Sequence, residues 1–173
     1  QQKVAGSIPG ELFECDEASF YLELFRGKGR ILGLFDQKKL LACSVISLPG
    51  SRSPDNLGKH INLENKQLEL VVNLEAAYVH PSYQGQGIAG LLSALQLDFA
   101  IRLGKRHALS TVSPANFYSL KNLFFLDFSI RTICKKYGDK IRCIMYKNLL
   151  ESNAFNDSRG RSQGRWIPYM DLE

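Results

Sequence analysis

The middle of the chain reads Val79-His80-Pro81-Ser82-Tyr83-Gln84-Gly85-Gln86-Gly87-Ile88-Ala89-Gly90-Leu91-Leu92. An apolar strand pattern ends where this stretch starts, and an amphipathic helix pattern begins where it ends. Glycines allow successive backbone N–H groups to turn toward one point, and the helix N-terminus adds the positive end of its dipole. The stretch therefore predicts a loop that binds a pyrophosphate through its backbone.

Two phosphate-binding patterns fit these letters, and the first is that of dinucleotide-binding folds. Gly85, Gly87 and Gly90 form Gly-x-Gly-x-x-Gly. That fold places its glycine turn in the first strand-to-helix unit and an acidic residue about twenty residues later. Here the loop lies in mid-chain, and the next predicted strand, 107–112, is followed by no carboxylate in residues 113–116. The dinucleotide interpretation is therefore the weaker one.

The second pattern is Gln-x-x-Gly-x-Ala, formed by Gln84, Gly87 and Ala89 after Val79 and Pro81. It resembles the acetyl-coenzyme A loop of the GNAT superfamily of N-acetyltransferases. The resemblance implies that the loop holds the pyrophosphate of acetyl-CoA, while a strand backbone pairs with the pantetheine arm. The donor-binding residues implied in this way are Ala77, Tyr78, Val79, Gln84, Gly85, Gln86, Gly87, Ile88, Ala89, Gly90 and Asn116.

A second segment extends the resemblance, which spans about residues 70–146. Asn116-Phe117-Tyr118-Ser119 and the pair Asp127-Phe128 are similar to the Asn-x-x-Ser and Gly-Phe segments of the family. Asp127 stands where glycine is usual, so the turn after the helix is expected to be built differently. Leu123 occupies the position at which many members carry a catalytic tyrosine, so another group must act as the acid.

Length and composition agree with one globular domain. At 173 residues and 45% hydrophobic content, the chain can bury a single core. The resemblance implies an α/β fold with a mixed, mostly antiparallel central sheet flanked by helices, in residues 1–147, with a tail at 148–173. The predicted helices are 16–25, 88–105 and 115–126, and the predicted strands are 30–35, 40–48, 68–79, 107–112, 130–137 and 140–146. Residues 51–66 are predicted to be a loop that covers the acceptor pocket.

Charge and cysteine spacing argue against several classes of partner. The net charge is +5, but Lys and Arg are spread along the chain without a basic stripe, so nucleic acid is not expected as a partner. The four cysteines and three histidines lack metal-ligand spacing, so no metal is expected. Cys134 and Cys143 are predicted to face each other if Gly138-Asp139 form a two-residue turn, although buried thiols are the favoured interpretation.

Candidate catalytic residues follow from the chemistry of attack by an amine on a thioester. Glu75, a lone carboxylate in an apolar strand, is the predicted base, because burial raises the pKa of a carboxyl group. Glu69 is the next candidate, and a water chain is a third. Ser119 is the predicted acid by its likeness to family members that acetylate protein N-termini, and Tyr118 is the alternative.

The sequence therefore predicts an acyl-CoA-dependent N-acyltransferase that transfers acetyl from acetyl-CoA to a primary amine on a small molecule or a protein. A catalytically silent acyl-CoA sensor or interaction module with the same fold is the alternative. No apolar run approaches the roughly 20 residues that span a bilayer, so no membrane partner is expected and the predicted location is cytoplasmic. A homodimer is one arrangement that remains open.

Overall fold

Six strands form one open sheet across residues 18–150, the part of the chain that the computed structural model describes. The strands are β1 (Gly29–Asp36), β2 (Lys39–Ser47), β3 (Val71–Val79), β4 (His107–Val112), β5 (Ser129–Lys136) and β6 (Lys140–Asn148). Their order in the sheet is β1-β2-β3-β4-β6-β5. Only β3 and β4 are parallel, so the sheet is mixed and mostly antiparallel, as predicted. Predictions for Cys15 and for residues 151–173 lie outside the described residues.

Helices cover both faces of this sheet. They are α1 (Ala18–Glu23), which continues into a turn at Leu24–Lys28, α2 (Asn65–Leu68), α3 (Ile88–Arg102) and α4 (Phe117–Phe125). On one face, α3 and α4 pack over a core that includes Val72, Ala108 and Met145. On the other face, a core around Val71 and Leu109 is covered by residues of the 51–70 segment. The fold is thus an α/β domain of the predicted class. No helix within residues 18–150 is long and apolar enough to cross a membrane.

Residues 51–66 differ from the predicted loop because they contain helical turns. A 3₁₀ turn at Leu57–Ile61 is followed by α2, whose first residue is Asn65. Asn56 organises the segment: its buried side chain accepts from the N–H of Gly58 at 3.0 Å and donates to the carbonyl of Leu68 at 2.9 Å. Leu57 within the segment and Leu68 just after it are buried against the sheet, although the composition of residues 51–66 is mostly polar.

The hairpin between β5 and β6 corrects the predicted cysteine pairing. Its loop contains three residues, 137–139, all with left-handed φ, rather than the two residues predicted. The extra residue shifts the register by one, so that Cys134 lies opposite Arg142 while Cys143 lies opposite Ile133. Cys134 and Cys143 pack in the cores on opposite faces, and both are free thiols.

Candidate active site

A cleft opens where β3 and β4 separate. The two strands pair over only four residues, from Val71 with His107 to Leu74 with Ser110. At the last pair, the hydroxyl of Ser110 donates to the carbonyl of Leu74 at 2.8 Å. Beyond this point lies a cavity of about 170 Å³, lined by residues of β3, β4, α3, α4 and the β5–β6 hairpin. Within residues 18–150, the edge of β3 that faces this cleft pairs with no strand after Leu74.

The glycine loop lies at the N-terminus of α3, as predicted. Gly85 and Gly87 have φ values of 77° and 78°, which glycine adopts without steric cost. Gly87 is the N-cap of α3 and, having no side chain, cannot cap the first N–H groups of the helix as a Ser or Asp would. Apart from adjoining parts of the chain, no heavy atom of the described residues would lie within 4 Å of a Cβ at Gly85 or Gly87. The loop therefore presents uncapped N–H groups and a helix dipole to open space, which suits an anionic ligand.

Three other residues expected to hold the donor lie at the end of β3 and at the start of the glycine loop. Tyr78 and Val79 are buried, and the ring of Tyr78 packs with Leu24 and Val45. The side-chain amide of Gln84 donates to the carbonyl of Val79 at 3.2 Å. In this structure, the amide of Gln84 therefore joins the glycine loop to the end of β3.

Glu75 is the extra residue of a β-bulge. Leu74 pairs with Ile46 and Ala76 pairs with Val45, so Glu75 has no counterpart on β2. The half-buried carboxylate lines the cavity, and its Oε1 accepts hydrogen bonds from the hydroxyl of Ser47 and the amide of Asn73. Bulges redirect side chains next to active sites. This one brings a hydrogen-bonded carboxylate to the cleft.

Asn73 connects this carboxylate to the 51–66 segment. Its Nδ2 donates to Oε1 of Glu75 at 3.2 Å and to the carbonyl of Asp55 at 2.9 Å. Residues 51–66 are absent from the described lining of the cavity, so the segment supports Glu75 through Asn73 and does not cover the pocket directly.

Gln96 anchors α3 to the same bulge. Its side chain is 1% exposed, and its Nε2 donates to the carbonyl of Val45 at 2.8 Å. Val45 is the β2 residue at which the pairing with β3 shifts. Sequence reasoning missed this residue, although a glutamine among the apolar residues of a helix was a usable signal.

Glu69, the second candidate base, lies away from the cleft. Its exposed carboxylate accepts from the hydroxyl and, at 3.0 Å, from the backbone N–H of Ser51. These hydrogen bonds, led by the one from the hydroxyl, lower the pKa of Glu69. Since a base near neutral pH needs a raised pKa, the position and the pKa shift both argue against this role.

The start of α4 places one of the two predicted acids at the cavity. The side chain of Asn116 accepts from the N–H of Ser119 at 3.1 Å and so caps the helix. Ser119 is half-buried and lines the cavity. Tyr118 is 81% exposed and is not part of the lining. Leu123, at the tyrosine position of the family pattern, is buried in the core.

Two further lining residues come from the β5–β6 hairpin, and sequence reasoning missed both. The hydroxyl of Tyr137 lies 3.2 Å from the hydroxyl of Thr111 on β4. Arg142 on β6 is buried beside it, with its guanidinium carbon 5.8 Å from the centre of the Tyr137 ring. A glycine turn between two strands was their only signal in the sequence. Across residues 18–150, no group of three or more His, Cys, Asp or Glu side chains is placed to hold a metal ion.

Comparisons with solved structures identify the same fold. An N-acetyltransferase from Staphylococcus aureus Mu50 is 17% identical, with a TM-score of 0.58 over 76% of this chain and 74% of that one. YncA from Salmonella typhimurium, solved with its cofactor acetyl-CoA, is 18% identical, with a TM-score of 0.59 over 79% and 76% of the two chains. The ribosomal-protein-S18-alanine N-acetyltransferase from Escherichia coli is 17% identical, with a TM-score of 0.58 over 84% and 86%.

Sequence comparison gives the family. A search of curated protein sequences finds no match. Residues 7–123, more than half of the chain, match the profile of the Acetyltransferase (GNAT) family. The matched range contains the split between β3 and β4, the glycine loop and most of α4. This chain therefore belongs to the GNAT family of acetyltransferases.

Proposed function

We propose that the protein transfers an acetyl group from acetyl-CoA to a primary amine by direct attack of the amine on the thioester. One observation carries the proposal: the cleft at which β3 and β4 separate is lined both by Ala89, in the first turn of α3, and by Glu75. A thioester held in that cleft would meet donor-binding backbone on one side and a candidate base on the other.

The donor would be held by backbone groups. The N–H groups from Gly85 to Gly90 would bind the pyrophosphate, and the edge of β3 beyond its pairing with β4 would pair with the pantetheine arm, as an added strand does. Two proteins of this fold support the assignment. YncA was solved with acetyl-CoA, and an acetyltransferase from Bacillus subtilis, 13% identical with a TM-score of 0.55 over 79% and 95% of the two chains, was solved with CoA.

Glu75 would act as the general base. An amine must lose its proton before it can attack, and a carboxylate at the cavity can accept that proton directly or through one water molecule. The hydrogen bonds from Ser47 and Asn73 hold Oε1 in place. The amine nitrogen then forms a bond to the acetyl carbon, and the carbon–sulfur bond breaks.

Ser119 would supply a proton to the leaving thiolate of CoA. Its side chain lines the cavity at the first turn of α4, close to the cap provided by Asn116. Tyr137 is the second candidate, because its hydroxyl group belongs to another element of the same lining.

The substitution Glu75→Gln tests the proposal. It keeps the size of the side chain and removes its basicity, so kcat should fall by about 100-fold or more, while the Kd for acetyl-CoA stays within about twofold. Glu69→Gln is the matched control, since it removes a nearby carboxylate outside the cavity, and it should retain the parental kcat. Parental turnover and an unaltered pH–rate profile in Glu75→Gln would contradict the role of Glu75.

A catalytically silent acyl-CoA-binding module is the second candidate function. It is favoured by Leu123, which is buried in the core at the position of the family tyrosine. Binding of acetyl-CoA without acetyl transfer to any amine in a broad screen would support it. A cytoplasmic location and a homodimer stay predictions under either function. The class of amine acceptor stays a prediction for the enzyme.

A further inference from the structure

Arg142 is a buried arginine with an unused hydrogen-bond donor at the cavity. Its side chain is 4% exposed and lines the cleft. Nη1 donates to the carbonyl of Ile141 at 2.9 Å, whereas Nη2 is buried and has no hydrogen-bond partner among the described residues. A guanidinium keeps its charge at any pH that a protein tolerates, so this donor cannot be removed by loss of a proton.

The positive charge is uncompensated within residues 18–150. None of the ion pairs among these residues includes Arg142. Glu75 is the other charged residue of the cavity lining, and its Oε1 accepts hydrogen bonds from Ser47 and Asn73. The Tyr137 ring gives only a partial contact to the cation. Burial of a charge without a partner is costly, so a binding role explains Arg142 better than a role in stability does.

The position of Arg142 in the sheet assigns it to the side opposite the donor loop. Side chains two residues apart on a strand share a face, so Arg142 shares its face with Ile144, which packs under the 51–70 segment. The helix α3, with the glycine loop at its start, covers the other face. Val112, the last residue of β4, pairs with Cys143, so Arg142 lies one residue beyond the end of β4, where the cleft is open.

We propose that Arg142 binds a carboxylate of the acceptor, so that the substrates are amines that carry a carboxylate close to the amine. A guanidinium binds a carboxylate through two parallel N–H···O bonds, and this pairing would use the idle Nη2 and neutralise the buried charge. The inference rests on the proposed acetyl transfer. The carboxylate belongs either to a free amino acid or to an acidic side chain next to the N-terminus of a peptide.

Acetyl transfer to matched amine pairs tests the inference. The pairs are phenylalanine with phenylalaninamide, ornithine with putrescine, and Ala-Asp-amide with Ala-Asn-amide. In at least one pair, the carboxylate member should have a kcat/KM at least tenfold higher. In Arg142→Met the preference should disappear, mainly through a higher KM, and Arg142→Lys should restore part of it. The preference is compared between parent and variant, so the intrinsic basicity of each amine cancels. Whether the amino acids or the peptide show the preference identifies the source of the carboxylate.

Arg131→Met is the matched control. Arg131 lies on the neighbouring strand β5 and is exposed, and its side chain is not part of the cavity lining. This variant should keep the carboxylate preference of the parent. Loss of the preference in both variants would show a general effect of positive charge and would overturn the assignment to Arg142.

Thermal unfolding in the presence of CoA gives a readout that does not depend on transfer. Propionate should raise the Tm of the parent relative to propionamide, and this difference should vanish in Arg142→Met. Without a ligand, Arg142→Met should unfold at the parental Tm or above it, because an unpaired buried charge has been removed. A clearly lower Tm of Arg142→Met, with no response of the parent to propionate, would indicate a structural arginine and would overturn the inference.

Different results would overturn the proposed acetyl transfer and the proposed carboxylate site at Arg142. Acetyl transfer that shows no carboxylate preference in any pair would overturn the inference alone. Propionate binding that depends on Arg142, in a protein that binds acetyl-CoA and acetylates no amine, would contradict the proposed function and leave the anion site in place.

Discussion

Two hydroxyl-bearing side chains from distant parts of the chain meet at the cavity, Ser119 from α4 and Tyr137 from the β5–β6 hairpin. The sequence motif predicted the first and could not predict the second. Tyr137 reaches Thr111 because the hairpin loop has three residues, and a loop of two residues would have placed different side chains at this position. Arg142 was not predicted as a residue of the cavity lining for the same reason.

At the residue scale, Ser119→Ala should lower kcat by about tenfold or more, because a proton donor for the leaving thiolate is lost. Tyr118→Phe is the control, since Tyr118 is exposed and lies outside the cavity, and it should stay within about twofold of the parent. Steady-state kinetics with saturating acetyl-CoA provides the measurement. If Ser119→Ala turns over at the parental rate, the acid is not Ser119, and Tyr137→Phe becomes the variant that must show the loss.

Asp127 occupies a position at which the family pattern has glycine, and its backbone conformation shows what this position requires. Asp127 has a φ of 60°, so the backbone keeps the left-handed conformation that glycine favours. Aspartate tolerates this conformation better than most residues do. Asp127 therefore adopts a conformation that a glycine at this position could also adopt.

At the scale of elements, α3 shows where a periodic apolar pattern misleads. Leu91 and Leu103 belong to the apolar residues that recur at spacings of three and four from Ile88 onward, a pattern that predicts burial against the sheet, yet both are exposed. The buried face instead includes Ser93 and Gln96, which line the cavity. Polar side chains that have partners can be buried, and those partners depend on tertiary contacts that the helix pattern does not contain. The bulge at Glu75 was not predictable for the same reason, because it exists only in the pairing with β2.

The substitution Gln96→Leu tests the link between α3 and the bulge. It should lower the free energy of unfolding by about 1–3 kcal/mol, because the buried carbonyl of Val45 loses its donor. It should also lower kcat, since the bulge positions Glu75. Arg102→Leu on the exposed side of the same helix is the control, and its effect should stay below about 0.5 kcal/mol. Denaturant unfolding measures the free energy of unfolding of both variants. Equal stability of Gln96→Leu and the parent would show that this hydrogen bond does not hold the bulge.

At the scale of the whole molecule, the sheet order decides between the two interpretations of the glycine loop. A dinucleotide-binding fold needs a mostly parallel sheet, whereas here only β3 and β4 run parallel. The strand and helix positions were largely predictable from the residues, and the family resemblance supplied the arrangement. The separation of β3 from β4 could not be predicted from residue patterns, because it depends on the arrangement of the whole sheet.

The histidines predict how the stability of the whole molecule depends on pH. Burial, followed by the charge of Arg106, lowers the pKa of His107 below its ordinary value of 6.5. Burial, followed by the charge of Lys136, lowers the pKa of His60 in the same way. The unfolded chain therefore binds protons more readily than the folded protein does, and stability must decrease as the pH falls below about 6.5.

Thermal unfolding across this range provides the test. The Tm should be steady between about pH 7 and 8 and should fall as the pH drops from about 6.5 toward 5. His107→Gln should reduce this slope even if its Tm is lower at every pH, because His107 also contacts Tyr146 at 3.1 Å. A Tm that rises on acidification over this range would contradict the assigned direction of both pKa shifts.

Thermal unfolding with saturating acetyl-CoA, CoA or NAD tests whether the glycine loop and the cleft bind acetyl-CoA. At 100 times its Kd, a ligand adds about 2.7 kcal/mol of stability, which corresponds to about 5–10 °C in Tm for a chain of this size. This rise is expected with acetyl-CoA and with CoA, and no rise is expected with NAD. The rise should be absent in Gly87→Glu and retained in Gly104→Glu, which has the same left-handed backbone at the other end of α3. An unchanged Tm of the parent with acetyl-CoA and with CoA would contradict binding of acetyl-CoA by the glycine loop and the cleft.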